Sequence, residues 1–294
     1  MRLTTLCLAL FVSASAYADT AKGPVASLPK VGDTLNQGGA SDWPKLTWLY
    51  DAPSGKDAAG KVVIHWFCTP QTKDQTCNDD LARIVTLRDT GRVYIVAYID
   101  AASQRDAKKL DPIRESEGVG KGTVAFGKGV TTLGKQLGVG KGPASIVVDV
   151  DGKVVLVSTS GDSAQLDARD TKVNALVNAI KEYTSAQDGP TTVKAGEKFN
   201  LSLKIQLANW LNYSSSQPME FNLTVPKDIK CDATTLKGDK LKIDARTLTA
   251  QVSCSGPRGV YQASGKLKFG YESPSGPGFG NVDGVVWKFE IKPQ

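Results

Sequence analysis

Residues 61–83 read KVVIHWFCTPQTKDQTCNDDLAR, and the rest of the chain organises around them. Val62, Val63 and Ile64 form a short apolar run leading into Trp66, Phe67 and Cys68, which predicts a strand over Val62–Trp66. A polar loop follows. Cys77, Leu81, Ile84 and Val85 then fall at i, i+4, i+7 and i+8, one stripe of a helix. Thr72 and Gln75 have capping-box spacing, so the helix is expected to start near Lys73 with Cys77 facing inward in its second turn. Thiols at such a strand–loop–helix turn suit redox chemistry, because the positive end of a helix dipole stabilises a thiolate.

The 294 residues are enough for two domains, and 40% hydrophobic with 22% charged residues describes a globular chain. The net charge of +6 is spread out, with no basic run interleaved with aromatics, so no nucleic-acid partner is expected. Residues 1–18 read as a secretory signal peptide: Arg2, an apolar stretch over Leu6–Val12, then Ala16-Tyr17-Ala18 before Asp19. No later stretch is long and apolar enough to span a bilayer, so no membrane span is expected after signal cleavage, and the protein is placed in the periplasm or outside the cell.

Setting aside Cys7 in the signal, four cysteines remain: Cys68, Cys77, Cys231 and Cys254. An even number in an oxidising compartment predicts two disulfides, with three connectivities open. Proximity in sequence and the domain split favour Cys68–Cys77 and Cys231–Cys254. The single histidine, His65, argues against a His-based zinc site or a Ser-His-Asp triad. It lies within a predicted strand, where a half-buried structural role is expected. No metal and no cofactor are expected.

Residues 19–41 lack a clear period and read as a mobile lead-in. Residues 43–50, WPKLTWLY, suit an edge strand limited by Pro44. Val93–Ile99 is a nearly unbroken apolar run, expected as a central parallel strand covered on both faces. Helices are expected over Gln104–Glu117, Thr131–Leu137 and Asp170–Tyr183. Thr123–Phe126 is a short apolar segment, and Ser145–Val150 and Lys153–Ser158 flank an Asp151-Gly152 hairpin turn. Residues 185–190, SAQDGP, read as a linker. Beyond it the apolar period changes to two, over Phe199–Ile205, Met219–Val225, Leu241–Ile243, Leu248–Cys254, Lys266–Tyr271 and Val285–Ile291. Short strands without helical stretches predict an antiparallel, immunoglobulin-like β-sandwich over 191–294, in which Cys231–Cys254 is structural.

The element order over 42–184, the thiols after the first buried strand, Gly60-Lys61-Val62-Val63, Leu137-Gly138-Val139 and Gly142-Pro143 before a strand ending Asp149-Val-Asp-Gly-Lys-Val together resemble the thioredoxin superfamily. The likeness is nearest to its exported TlpA/ResA-like branch. It implies an α/β thioredoxin-like domain, with Pro143 as a cis-proline facing the active-site cysteines. The departure is at the thiols. The family's site is W-C-x-x-C, whereas here Cys68 and Cys77 are spaced C-x8-C. In one alignment Gln71 replaces the second cysteine; in the other Asp74 replaces the nucleophile. Peroxiredoxins have a longer loop but require Thr three residues before the peroxidatic cysteine, where Asp74 stands.

Two functions follow as expectations. The first is thiol–disulfide exchange with protein thiols or disulfides, with Cys68 as exposed nucleophile, Cys77 as resolving thiol and Pro143 beside them; the helix N-terminus favours the thiolate and Asp74 opposes it. The second is a non-enzymatic scaffold with a structural Cys68–Cys77 bond and a partner-binding sandwich. Gly129–Gln136 fits G-x-x-x-x-G-K but ends in Gln where a Mg²⁺-binding hydroxyl is required, and it falls where a surface helix is expected. The paired Gly-Val-Gly-Lys-Gly segments at 118 and 138 read as turns. Asn200, Asn212 and Asn222 head glycosylation sequons, with Asn200 and Asn222 expected to face solvent. Trp210, Tyr213 and the Gly276–Phe279 loop read as rim packing rather than a partner surface.

Overall fold

The structure is a computed structural model that describes residues 28–35, 45–70, 76–113, 121–139, 142–274 and 276–294. The first half runs β1 (Thr47–Trp48), α1 (Gly55–Ala58), β2 (Val62–Cys68), α2 (Thr76–Arg88), β3 (Val93–Ile99), α3 (Gln104–Ala107), β4 (Gly122–Phe126), α4 (Lys128–Leu137), β5 (Ala144–Val148), β6 (Val154–Ser158) and α5 (Ser163–Ala179). The strands form one sheet in the order β1-β4-β3-β2-β5-β6. β2, β3 and β4 are parallel; β5 is antiparallel to β2, and β6 to β5. This is a thioredoxin-like topology.

All residues of β2 and β3 are buried, which is why both read as continuous apolar runs. Alternation sends Val62, Ile64, Trp66 and Cys68 to the face covered by α2 and α5, where Ile84, Leu87 and Val173 meet them. Val63 and Phe67 face the other side, against Ala58, Val130 and Leu133 of α1 and α4. α4 ends at Gly138, whose φ of 66° provides a left-handed cap.

The second half is β7 (Tyr183–Asp188), β8 (Thr192–Lys194), β9 (Phe199–Leu207), β10 (Asn212–Tyr213), β11 (Glu220–Thr224), β12 (Lys230–Cys231), β13 (Thr235–Lys237), β14 (Lys242–Asp244), β15 (Thr247–Ser255), β16 (Gly259–Ser273) and β17 (Gly276–Lys292). It is all-β. One sheet is ordered β13-β11-β16-β17-β8 with β10 on β16; the other is β12-β15-β9-β7 with β14 on β15. Leu201, Leu203 and Ile205 of one sheet and Phe221, Leu267 and Trp287 of the other share a single core, so the sheets form a β-sandwich.

Several expectations are corrected. The stretch read as a linker, 185–190, lies largely in β7, an edge strand paired along β9 from Tyr183↔Leu207 to Asp188↔Ser202. Its polarity marks an exposed edge rather than a flexible joint. Part of the lead-in is pinned: Thr34 bridges Lys153, and Gly32 and Leu35 donate to the carbonyls of Val154 and Gly152. The helix expected over Gln104–Glu117 stops at Ala107, followed by a 3₁₀ turn to Leu110, because Pro112 forces Asp111 into extended backbone. α5 begins at Ser163, before the expected Asp170, because the Asp162 side chain accepts the Gln165 N–H as its N-cap. The Thr72–Gln75 capping box, the signal segment and residues 43–44 lie outside the described residues.

The two halves touch at the turn before β2. The Trp210 indole lies directly over Gly60, where a Cβ would come within 2.6 Å of Nε1. Beside it, Arg92 at the start of β3 pairs with Glu182.

Candidate functional site

Cys68 is the last residue of β2 and Cys77 lies in the first turn of α2. They form a disulfide with Cα atoms 5.9 Å apart, within the span a disulfide bridges. Both are buried: Cys68 is 3% exposed and Cys77 4%. Cys68 is therefore not an exposed loop residue, as expected from sequence. It continues the ladder, its carbonyl accepting the Asp100 N–H at 2.8 Å and its side chain entering the α2/α5 core.

A buried polar network lies in the same layer. Trp66, two residues before Cys68, donates its indole N–H to Asp80 Oδ2 at 2.8 Å. Asp80 is three residues after Cys77. From α5, Arg169 reaches both Asp80 oxygens, through Nη1 at 2.8 Å and Nη2 at 2.7 Å, and its Nε donates to Asp170 at 2.8 Å. Arg169 and Asp80 are fully buried. Burial by itself depresses the Arg169 pKa, but hydrogen bonds and attraction from Asp80 and Asp170 outweigh it and hold the pKa above the ordinary value. Arg83 of α2 donates to Asp170 and Asp167, fastening α2 to α5 from the outside.

On the opposite face, His65 is fully buried rather than half-buried. Its ring stacks on Tyr98, and its Nδ1 lies 3.0 Å from the Tyr98 hydroxyl. Desolvation drops its pKa from 6.5 to about 4, which leaves it neutral and structural. A cavity of about 220 Å³ opens beside Cys68, lined by Phe67, Tyr98, Asp100, Val130 and Lys135 among others. The Thr131 hydroxyl donates to Asp100 at its edge.

The structure brings Cys68 and Cys77 together and places Pro143 near them. Pro143 precedes Ala144, which pairs with Phe67, and the Pro143 ring and Thr76 both lie against Gly161. The Gly142–Pro143 bond is trans, not the cis bond the family resemblance implies; among the described residues there is no cis peptide bond. Gln71 and Asp74 lie outside the described residues. Gly129–Gln136 lies within α4, which spends its backbone N–H groups on the helix rather than on a phosphate. Cys231–Cys254 joins directly opposed residues of β12 and β15. Asn200 and Asn222 face solvent, and the Tyr213 hydroxyl donates to the Ile205 carbonyl as rim packing. Among the described residues no cluster of metal-ligating side chains occurs, and no helix is long and apolar enough to cross a membrane.

Asp80 and Arg169 escaped the sequence reading. The available signal was Asp80 itself, a carboxylate three residues from Cys77 beside the apolar stripe of α2. A carboxylate buried there needs a cation or hydrogen-bond donors to meet it.

No protein-family model matches this chain, and no curated protein matches it. Among solved structures it is similar to the thioredoxin domain of a thiol-disulfide oxidoreductase from Bacteroides vulgatus, at 17% identity and a TM-score of 0.35, over 50% of this chain and 99% of that one. It is also similar to a thiol:disulfide interchange protein from Bacteroides sp., at 19% identity and a TM-score of 0.33, over 54% and 94%. A cohesin module from Clostridium perfringens matches at 10% identity and a TM-score of 0.26, over 38% and 98%. By its own strand order and disulfide, the chain carries a thioredoxin-like domain with a Cys68–Cys77 bond at C-x8-C spacing, followed by a β-sandwich.

Proposed function

We propose that this protein is an extracytoplasmic thiol–disulfide oxidoreductase working through Cys68 and Cys77, a variant of the exported TlpA/ResA-like branch with a lengthened cysteine spacing. The supporting observation is the position of the bond: it joins the C-terminal end of the central strand β2 to the first turn of α2. There a thiolate gains from the helix dipole. In exchange, a partner thiolate attacks one sulfur to form a mixed disulfide and release the other as thiolate. The partner's second thiol then attacks the mixed bond. Two electrons pass to Cys68 and Cys77, and the partner leaves as a disulfide. Pro143 borders this site. Two disulfides and the signal-like residues 1–18 support export. On this reading 42–184 is the exchange domain and 191–294 an immunoglobulin-like sandwich free to bind a protein partner.

The burial of both cysteines favours a second reading, in which the bond is a structural staple. The reduction potential separates the two. A value between about −270 and −120 mV, measured in redox buffers with alkylation and mass spectrometry, is expected for exchange. A bond that stays closed below about −300 mV would make it structural.

A further inference from the structure

Trp66 and Cys68 are alternate residues on one face of β2, while Asp80 and Cys77 lie one turn apart on α2. The disulfide joins the second member of each pair. The Trp66–Asp80 hydrogen bond, at 2.8 Å, joins the first members and so crosses the same gap a second time. It is anchored from a third element, since Arg169 of α5 holds both oxygens of Asp80 and leaves that carboxylate little freedom to turn. Trp66, Asp80 and Arg169 are all fully buried, so water does not compete for these bonds. None of the three depends on the disulfide for its partner.

We infer that Trp66, Asp80 and Arg169 form a non-covalent clasp that keeps β2 and α2 in register when the disulfide is open, holding the two thiols at closing distance. Trp66 and Asp80 are positioning residues. They raise the effective concentration of one thiol at the other, as a short rigid tether does. The inference deepens the exchange reading and rests on it for its role in turnover. In closing, Cys68 and Cys77 lose two protons and two electrons to an external disulfide, which is reduced to two thiols. The clasp favours that direction because less chain freedom is lost when the bond forms.

The test equilibrates the full mature chain with reduced and oxidised dithiothreitol, traps thiols by alkylation and counts them by mass spectrometry. Trp66→Phe removes the N–H donor and leaves the Asp80–Arg169 pair. It is expected to lower the closing constant about tenfold, a rise of about 30 mV in potential. Ile64→Val trims the same face of β2 without touching the clasp and is expected to lower stability while leaving the constant unchanged. If Trp66→Phe does not fold, benzothienylalanine at position 66 keeps the ring shape without the donor and is expected to give the same shift. A donor-free residue with a constant within twofold of wild type would overturn the inference, as would an equal shift in Ile64→Val. Failure of the exchange reading looks different: the shift appears, but the reduced wild-type pair opens no partner disulfide and the oxidised bond accepts no partner thiol.

Discussion

At the scale of single residues, His65 shows how little a histidine in a redox-like fold needs to do with chemistry. It lies on the strand that carries Cys68, but it points to the opposite face and stacks on Tyr98. Its pKa falls from 6.5 unfolded to about 4 folded, because burial penalises the charged ring. Between these values the unfolded chain binds the proton and the folded one does not, so stability is lost as pH falls through 6.5 toward 4. This group makes the protein about 2–3 kcal/mol less stable at pH 4.5 than at pH 7. Urea unfolding at both pH values should show the loss in wild type and a smaller one in His65→Asn. Equal losses in the two proteins would remove His65 as the cause. His65 was readable as structural from its place in a strand. Its complete burial was not, because that depends on α4 covering the sheet from a distant part of the sequence.

Among elements, the pairing of α2 with α5 matters most. Asp80 and Arg169 come from helices 89 positions apart and meet fully buried. Removing one charge strands the other in a medium that solvates it poorly. Asp80→Asn is therefore expected to cost about 3–5 kcal/mol in denaturant unfolding, while replacing both residues by Leu and Met should cost far less than two such losses. A double variant as damaged as the sum of the single ones would show that the pair does not act as a unit. In the sandwich, Cys231 and Cys254 are opposed across β12 and β15 and close a loop of sequence separation 23. Replacing both by serine should lower the sandwich's unfolding free energy by about 3 kcal/mol and leave the Cys68–Cys77 bond intact by peptide mapping. Six strands of this half, β9, β11 and β14 to β17, were legible from their period-two apolar stretches, while the short β8, β10, β12 and β13 were not. β7 was not, since it is an edge strand whose exposed residues carry no apolar period.

For the whole molecule, the two halves meet at the N-terminal end of β2 and the disulfide lies at its other end, roughly 20 Å away for a seven-residue strand. Among the described residues, the cavity beside Cys68 is lined by residues of the first half alone. The contact rests on Trp210 over Gly60 and on the Arg92–Glu182 pair. Trp210→Ala is expected to uncouple the halves, giving two separate calorimetric transitions where wild type gives one, with the Cys68–Cys77 potential unchanged. A shift in that potential would mean that the sandwich reaches the Cys68–Cys77 bond.

The sequence by itself determined the longer buried strands, the two-part organisation and the thioredoxin-like order, and it favoured the two cysteine pairings that form. These depend on apolar periodicity and on short separations along the chain, which are local properties. Only the tertiary structure decided that Cys68 is buried at the end of a strand, that Pro143 follows a trans bond, that 185–188 is strand rather than linker, and that Asp80, Arg169 and Trp66 form one network beneath the thiols. Each of these depends on which distant element packs against a residue. A buried charge in particular is tolerated only where its partner arrives from elsewhere in the chain, and no local pattern records that partner.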